Sequence, residues 1–138
     1  MKEQALVDYF NNKIDVKSFA ADLNKSRESW GTTFSLDIEH LENTNPFFVE
    51  RKHCLQLCNE AIDELFTFEN INTIAFIVTY SDAFKIDTND EVTNRFFEDW
   101  VENSFGYAWT VENLQKWKIL VETGVDTFTE ADFKIKSD

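Results

Sequence analysis

The chain has 138 residues, which is enough for one domain with a sizeable hydrophobic core. Its formal net charge of −13 at pH 7 argues against direct binding to nucleic acid or to an anionic membrane, because both need positive charge. No apolar run approaches ~18 residues and no signal pattern opens the chain, so neither a spanning helix nor secretion is expected.

The composition predicts a single folded domain, residues 1–138, with an unusually aromatic core. The chain has 14 Phe, 4 Trp and 3 Tyr, whereas 3 Gly and 1 Pro leave little material for linkers or disorder. Two Cys in a chain with this much core favour a reducing, cytoplasmic setting.

Two helices are predicted at the start of the chain. Apolar residues at helical spacing predict a short helix over residues 2–11, and Asp15 is placed to cap a second helix that ends near Gly31. Residues 34–38 then alternate apolar and polar side chains, which predicts a half-buried strand. A helical alternative for this segment stays open, because Leu41 extends the pattern at a different period.

The central stretch predicts one long helix followed by one buried strand. Asn45 can cap a helix, Pro46 suits its first position, and an apolar stripe continues to about residue 66 or 68. After a polar break, residues 73–80 are β-branched or aromatic at seven of eight positions, which is typical of a central strand.

The next elements are predicted from strand and cap residues. Phe84 and Ile86 suit a short strand that pairs back on the central strand. Asp87 or Thr88 can cap a helix that continues to residue 103.

Further along, Thr110 is placed to cap a helix that Gly124 ends, and a last short turn begins at Thr129. Together these elements predict the α+β class, a helix-dominated single domain with a small, mainly antiparallel sheet. The sheet is expected to have two to four strands and to include residues 74–80.

Cys54 and Cys58 lie four residues apart on the predicted helix, a spacing that can place two metal ligands on one face. A zinc site needs about four ligands, and beyond the neighbouring His53 the only other histidine is His40. Both Cys also belong to the apolar stripe, where a free Cys behaves as a small hydrophobe. Core packing is therefore favoured, and no metal, cofactor or disulfide is predicted.

A calcium-loop pattern places ligands at positions one, three, five and twelve, which are here Asp87, Asn89, Glu91 and Glu98. The pattern also needs Gly at position six, where this chain has Val92. Helix capping is therefore the favoured interpretation of these side chains.

No catalytic motif supports an enzyme. The chain lacks a Gly-rich phosphate loop and a Gly-x-Ser-x-Gly elbow, and two His give a poor choice of general base. Carboxylate pairs are numerous, but nothing selects one pair as the acid and base of a glycosidase-type site. The sequence therefore favours binding over catalysis.

The negative charge is unevenly distributed. Residues 53–115 hold twelve acids and only two bases, Lys85 and Arg95, and so carry 10 of the 13 net negative charges. A solvated surface that aids solubility explains this pattern, and so does a docking face for a basic partner.

The candidate binding surface is the predicted helix over residues 88–103 with the loop over residues 104–109. Its contact residues are acids in or just before the helix and two aromatic residues in the loop, namely Asp87, Asp90, Glu91, Glu98, Asp99, Glu102, Tyr107 and Trp109. The acids are expected to attract a basic partner and the rings to act as rigid anchors, with core packing of Tyr107 and Trp109 as the alternative.

The segment YFNNKIDVKSF, residues 9–19, resembles the start of some bacterial toxin-immunity proteins, including the helical colicin D immunity type. Those proteins begin with a short helix, a Lys-Ile turn and a helix with Phe at its fourth position, and the likeness covers about the first 30 residues. The resemblance implies a small, single-domain, cytoplasmic and acidic protein that binds the basic cleft of a toxin such as a nuclease.

Composition and resemblance lead to one hypothesis and two alternatives. The hypothesis is an acidic protein-binding inhibitor, an immunity protein that blocks the basic active cleft of a cognate toxin. The first alternative is a phage- or host-encoded acidic inhibitor or nucleic-acid mimic, and the second is a small ligand-binding domain or enzyme. The expected partner is a basic protein, and the oligomeric state is left open.

Overall fold

Helices dominate the part of the chain that the structure describes. This computed structural model describes residues 3–28, 45–102 and 106–134, so the predicted strand at residues 34–38 lies outside the described residues. The elements are, in chain order, α1 (Glu3–Phe10), α2 (Val16–Glu28), β1 (Phe47–Phe48), α3 (Arg51–Ile62), α4 (Phe68–Tyr80), β2 (Phe84–Lys85), α5 (Glu91–Trp100) and α6 (Val111–Thr123), with a 3-10 turn at Glu130–Asp132. Within these ranges, no helix is both long enough and apolar enough to cross a membrane.

The strand predicted over residues 74–80 is wrong, because this segment is the second half of α4. Thr67 is the N-cap of this helix, and its Oγ1 accepts a hydrogen bond from the Asn70 backbone N–H at 3.1 Å. The Asn70 side-chain oxygen accepts in return from the Thr67 N–H at 2.9 Å. This reciprocal cap gives side-chain acceptors to two backbone donors at the helix start, and the Asn70 N–H also donates to the Thr67 C=O at 3.1 Å.

The error has a physical cause in the burial of α4. A helix that is buried on nearly every side is apolar all round, so it shows no amphipathic stripe and resembles a buried strand in sequence. Asn70 and Asn72, which suggested a polar break, are buried inside this helix. The Asn72 side-chain amide donates to the Trp100 C=O at 2.8 Å and so connects α4 to the end of α5.

The α+β assignment with a mainly antiparallel sheet is also wrong. β1 and β2 form a two-stranded sheet, and the two strands are parallel. Phe47 N–H donates to Ala83 C=O at 2.8 Å, and Val49 N–H donates to Lys85 C=O at 2.8 Å. β2 therefore pairs with the segment that precedes α3, and not with residues 74–80.

The long helix predicted from Pro46 is wrong at both ends. Residues 47–49 are used in pairing with β2, so α3 begins only at Arg51. The Glu50 N–H at its start donates to His53 Nδ1 at 2.8 Å. α3 ends at Ile62 and the chain then passes through Glu64, whose φ of 63° lies in the left-handed region that stops a helix.

Several predicted boundaries are confirmed. Asp15 Oδ2 accepts from the Ser18 N–H at 3.0 Å at the start of α2. Thr110 Oγ1 accepts from the Asn113 N–H at 3.1 Å, and Gly124 ends α6 with a φ of 79°. These positions were predictable because each depends on local cap chemistry rather than on tertiary contacts.

The core is one cluster of buried side chains to which all six helices contribute, and it includes the fully buried rings of Phe96 and Trp117. Arg51 fastens α3 to α6, because its guanidinium donates to the Val121 C=O at 2.7 Å and to the Leu120 C=O at 3.2 Å. These carbonyls lie in the last turn of α6, where a cation also complements the helix dipole.

Replacement of Thr67 by Ala tests the helical assignment of α4. The variant loses the cap to the Asn70 N–H and should unfold with a free energy about 1 kcal/mol lower in urea. Thr79→Ala is the matched control, because Thr79 is exposed near the other end of α4 and should change stability by less than about 0.5 kcal/mol. A larger loss for Thr79→Ala than for Thr67→Ala would support a strand instead.

Candidate protein-binding surface

The structure divides the eight predicted contact residues into two groups. Four acids are exposed and accessible to a partner, namely Asp87, Glu91, Glu98 and Glu102. The other four residues are half-buried and make contacts within the chain, namely Asp90, Asp99, Tyr107 and Trp109.

Asp90 is the N-cap of α5. Its carboxylate accepts from the Thr93 N–H at 3.1 Å and from the Thr93 hydroxyl at 2.6 Å. Asp87 lies in the turn before it, where Oδ1 accepts from the Asn89 N–H at 2.9 Å. The helix predicted from Asp87 or Thr88 therefore begins slightly later than expected, at Glu91.

The exposed acids of α5 share one face. Glu98 follows Glu91 by seven residues, and Glu102 follows Glu98 by four, so the three lie along one side of the helix and its extension. In the part of the chain that the structure describes, no Lys or Arg forms an ion pair with these three carboxylates or with Asp87. We call Asp87, Glu91, Glu98 and Glu102 the acidic face.

Arg95 is the only basic residue of α5, and its charge is used elsewhere. One nitrogen pairs with Asp126 at 2.8 Å, and another donates to the Tyr107 hydroxyl at 2.7 Å. The guanidinium also lies 5.7 Å from the centre of the Trp117 ring. These contacts attach residues 126–134, the C-terminal segment, to α5 and direct the Arg95 charge to Asp126 instead of to the acidic face.

Tyr107 and Trp109 are packed against other parts of this chain. The Tyr107 ring stacks between Phe128 and Phe133, with centroid distances of 3.8 and 4.7 Å. The Trp109 ring stacks on Trp100 at 5.8 Å, and the Lys134 Nζ lies 4.4 Å from its centre. Much of the surface of both rings is therefore in contact with the C-terminal segment, residues 126–134, and with α5 and α6.

Asp99 supports the backbone of the loop that precedes α6. Its Oδ1 accepts from the Tyr107 N–H at 3.1 Å. Burial raises the pKa of Asp99 to about 6, against the opposing effects of this hydrogen bond and of the positive charges on Lys134 and Arg95. Gly106 has a φ of 83°, and a Cβ there would collide with the Asp99 carboxylate, so the contact also requires glycine.

Two exposed aromatic residues beside the acidic face were missed from the sequence. Tyr80 is 67% exposed and borders a cleft of about 280 Å³ that Glu98 also lines. Phe48 is 57% exposed and borders a cleft of about 420 Å³ that Asp87 and Asp90 also line. Tyr80 was missed because residues 73–80 were predicted as a central strand, in which Tyr80 would be buried with its neighbours.

The cysteines and histidine of α3 are buried. Cys54 and Cys58 are free thiols without exposed surface, and burial raises the pKa of the Cys58 thiol to about 12. Burial lowers the pKa of His53 to about 4. No group of three or more His, Cys, Asp or Glu side chains is arranged to hold a metal ion within the described ranges.

Comparisons of this chain with protein-family models, with curated proteins and with solved structures found no match. The fold and its surface define an acidic helical domain that presents exposed carboxylates next to exposed aromatic rings.

Replacement of Asp99 by Asn should change how stability depends on pH. The folded protein holds the Asp99 proton more tightly than the unfolded chain, where the pKa is near 3.8. The stabilisation is therefore complete below about pH 4 and is lost as the pH rises through about 6. Asn keeps an acceptor for the Tyr107 N–H but does not ionise, so Asp99→Asn should gain stability relative to the wild type across this interval.

Urea unfolding at several pH values measures this effect. Glu98→Gln is the control, because it removes one negative charge from the exposed neighbouring position. A stability difference between Asp99→Asn and the wild type that stays constant between about pH 4 and 7 would contradict the assignment.

Proposed function

We propose that this chain is an acidic protein-binding inhibitor, most concretely an immunity protein that neutralises a cognate bacterial toxin by covering its basic active cleft. The observation that carries the proposal is the acidic face, four exposed carboxylates without an ion pair among the described residues. The resemblance of residues 9–19 to toxin-immunity proteins supports the choice of partner class.

The position of the acids on α5 supports a role outside folding. Glu98 and Glu102 lie at the C-terminal end of the helix, where the helix dipole disfavours negative charge, and the last turn contains no base. Exposed charges of one sign also repel each other. A basic partner removes both penalties, and it is attracted along the field of these charges during association.

The proposed role is one of binding and not of catalysis. The Nδ1 of His53 accepts the Glu50 N–H, and the side chain is buried, which makes His53 a poor general base. The thiols of Cys54 and Cys58 are buried, which makes them poor nucleophiles.

We place the protein in the reducing cytoplasm, a setting that free thiols favour.

The proposal is tested by reversing three charges of the acidic face. The variant Glu91→Lys, Glu98→Lys, Glu102→Lys should fold normally and associate with its basic partner at least about tenfold more slowly at low salt. The partner is the basic protein that co-purifies with this chain from its native host. Stopped-flow association at low and high salt measures the effect, because screening should reduce the difference between variant and wild type.

A matched control places the same charges elsewhere. Asp63→Lys, Glu64→Lys, Glu112→Lys changes the net charge equally, from −13 to −7, at three exposed positions away from α5. Glu112 lies in the first turn of α6 as Glu91 does in α5, so the effects on the helix dipole also match. Equal slowing by both variants would show that net charge alone matters, and the acidic face would lose its assigned role.

A further inference from the structure

The cleft beside Tyr80 has the lining of a site for one side chain of a partner. It lies between the end of α4, β2 and α5 and has a volume of about 280 Å³. Phe84 and Phe97 contribute buried apolar surface to its lining, and Asp82 and Glu98 contribute exposed carboxylates.

Tyr80 presents an open aromatic surface to this cleft. Its ring contacts Phe76 with a centroid distance of 4.8 Å, and yet 67% of the residue remains exposed. It is the most exposed of the large apolar residues in the described ranges. A cation is attracted electrostatically both to an aromatic face and to carboxylates beside it.

Three acceptors line the same cleft as this ring. Neither Asp82 nor Glu98 forms an ion pair with any described residue. Asn94 also lines the cleft, and its amide nitrogen donates to two backbone carbonyls, at Asp87 and Asp90, both at 2.9 Å. The Asn94 oxygen therefore remains as a third acceptor.

We propose that this cleft binds the guanidinium group of an arginine on the basic partner protein. The inference rests on the proposed function for the identity of the partner, and it adds the site and the side chain that is recognised. A guanidinium is planar, so it stacks on the Tyr80 ring while its N–H groups donate to the carboxylates in the same plane. An ammonium group has no flat face, and it holds its water more strongly.

Lys85 is the one base in the lining of the cleft, and it lowers the attraction for a cation. It is exposed and forms no ion pair with a described residue. Its removal should therefore strengthen binding. A variant that gains affinity is useful here, because damage to the fold does not produce a gain.

The experiment is an NMR titration of the ¹⁵N-labelled chain with acetyl-arginine amide, with acetyl-lysine amide as the comparison probe. Saturable shifts are expected at Tyr80, Lys85, Asn94 and Glu98, with weaker binding of the lysine probe. Tyr80→Leu should weaken arginine binding about two- to fivefold, whereas Tyr80→Phe keeps the ring and should bind as the wild type does.

Two charge variants complete the test. Glu98→Gln should weaken and Lys85→Gln should strengthen binding of the arginine probe, while Glu112→Gln, at an exposed acid of α6, should leave it unchanged. Shifts without saturation, equal affinity for the two probes, or full binding by Tyr80→Leu would each overturn the proposal.

The outcome separates this inference from the proposed function. Arginine binding in the cleft without any basic protein partner would overturn the inhibitor proposal alone. A basic partner whose association depends on the acidic face, with no arginine binding in the cleft, would overturn the cleft assignment alone.

Discussion

The position of the acidic face depends on the contact between α4 and α5. Asn72 is buried in α4, and its amide donates to the Trp100 and Val101 carbonyls at the end of α5, at 2.8 and 3.3 Å. A buried carbonyl without a partner costs free energy, so this contact favours one register between the two helices. With α5 fixed in this way, its remaining side carries Glu91 and Glu98 to the surface.

The second constraint is the division of charge around Arg95. The guanidinium is engaged by Asp126, by the Tyr107 hydroxyl and by aromatic rings, and these contacts hold the C-terminal segment against α5 and α6. The same residue therefore stabilises the fold and does not pair with the carboxylates of the acidic face. The local excess of negative charge follows from the composition of residues 53–115, whereas the direction of the Arg95 charge is seen only in the structure.

Local chemistry made part of this structure predictable. The caps at Asp15 and Thr110 follow from residues next to each other in sequence, whereas α4 was mistaken for a strand because tertiary burial removed its amphipathic pattern. The acids of the candidate surface were found from the sequence, but which of them are exposed and which are half-buried was not. The burial of Asp99, for example, depends on a loop that folds back onto it. Tyr80 was missed for the same reason as α4.

Hydrogen–deuterium exchange of the wild-type chain, with and without its co-purifying basic partner, tests whether α5 forms the binding surface. Slower amide exchange on binding is expected in α5, in β2 and at the end of α4, because these elements carry the acidic face and the Tyr80 cleft. Exchange in α1 should stay unchanged. Protection confined to α1 and α2, with α5 exchanging as in the free protein, would contradict the claim that α5 forms the binding surface.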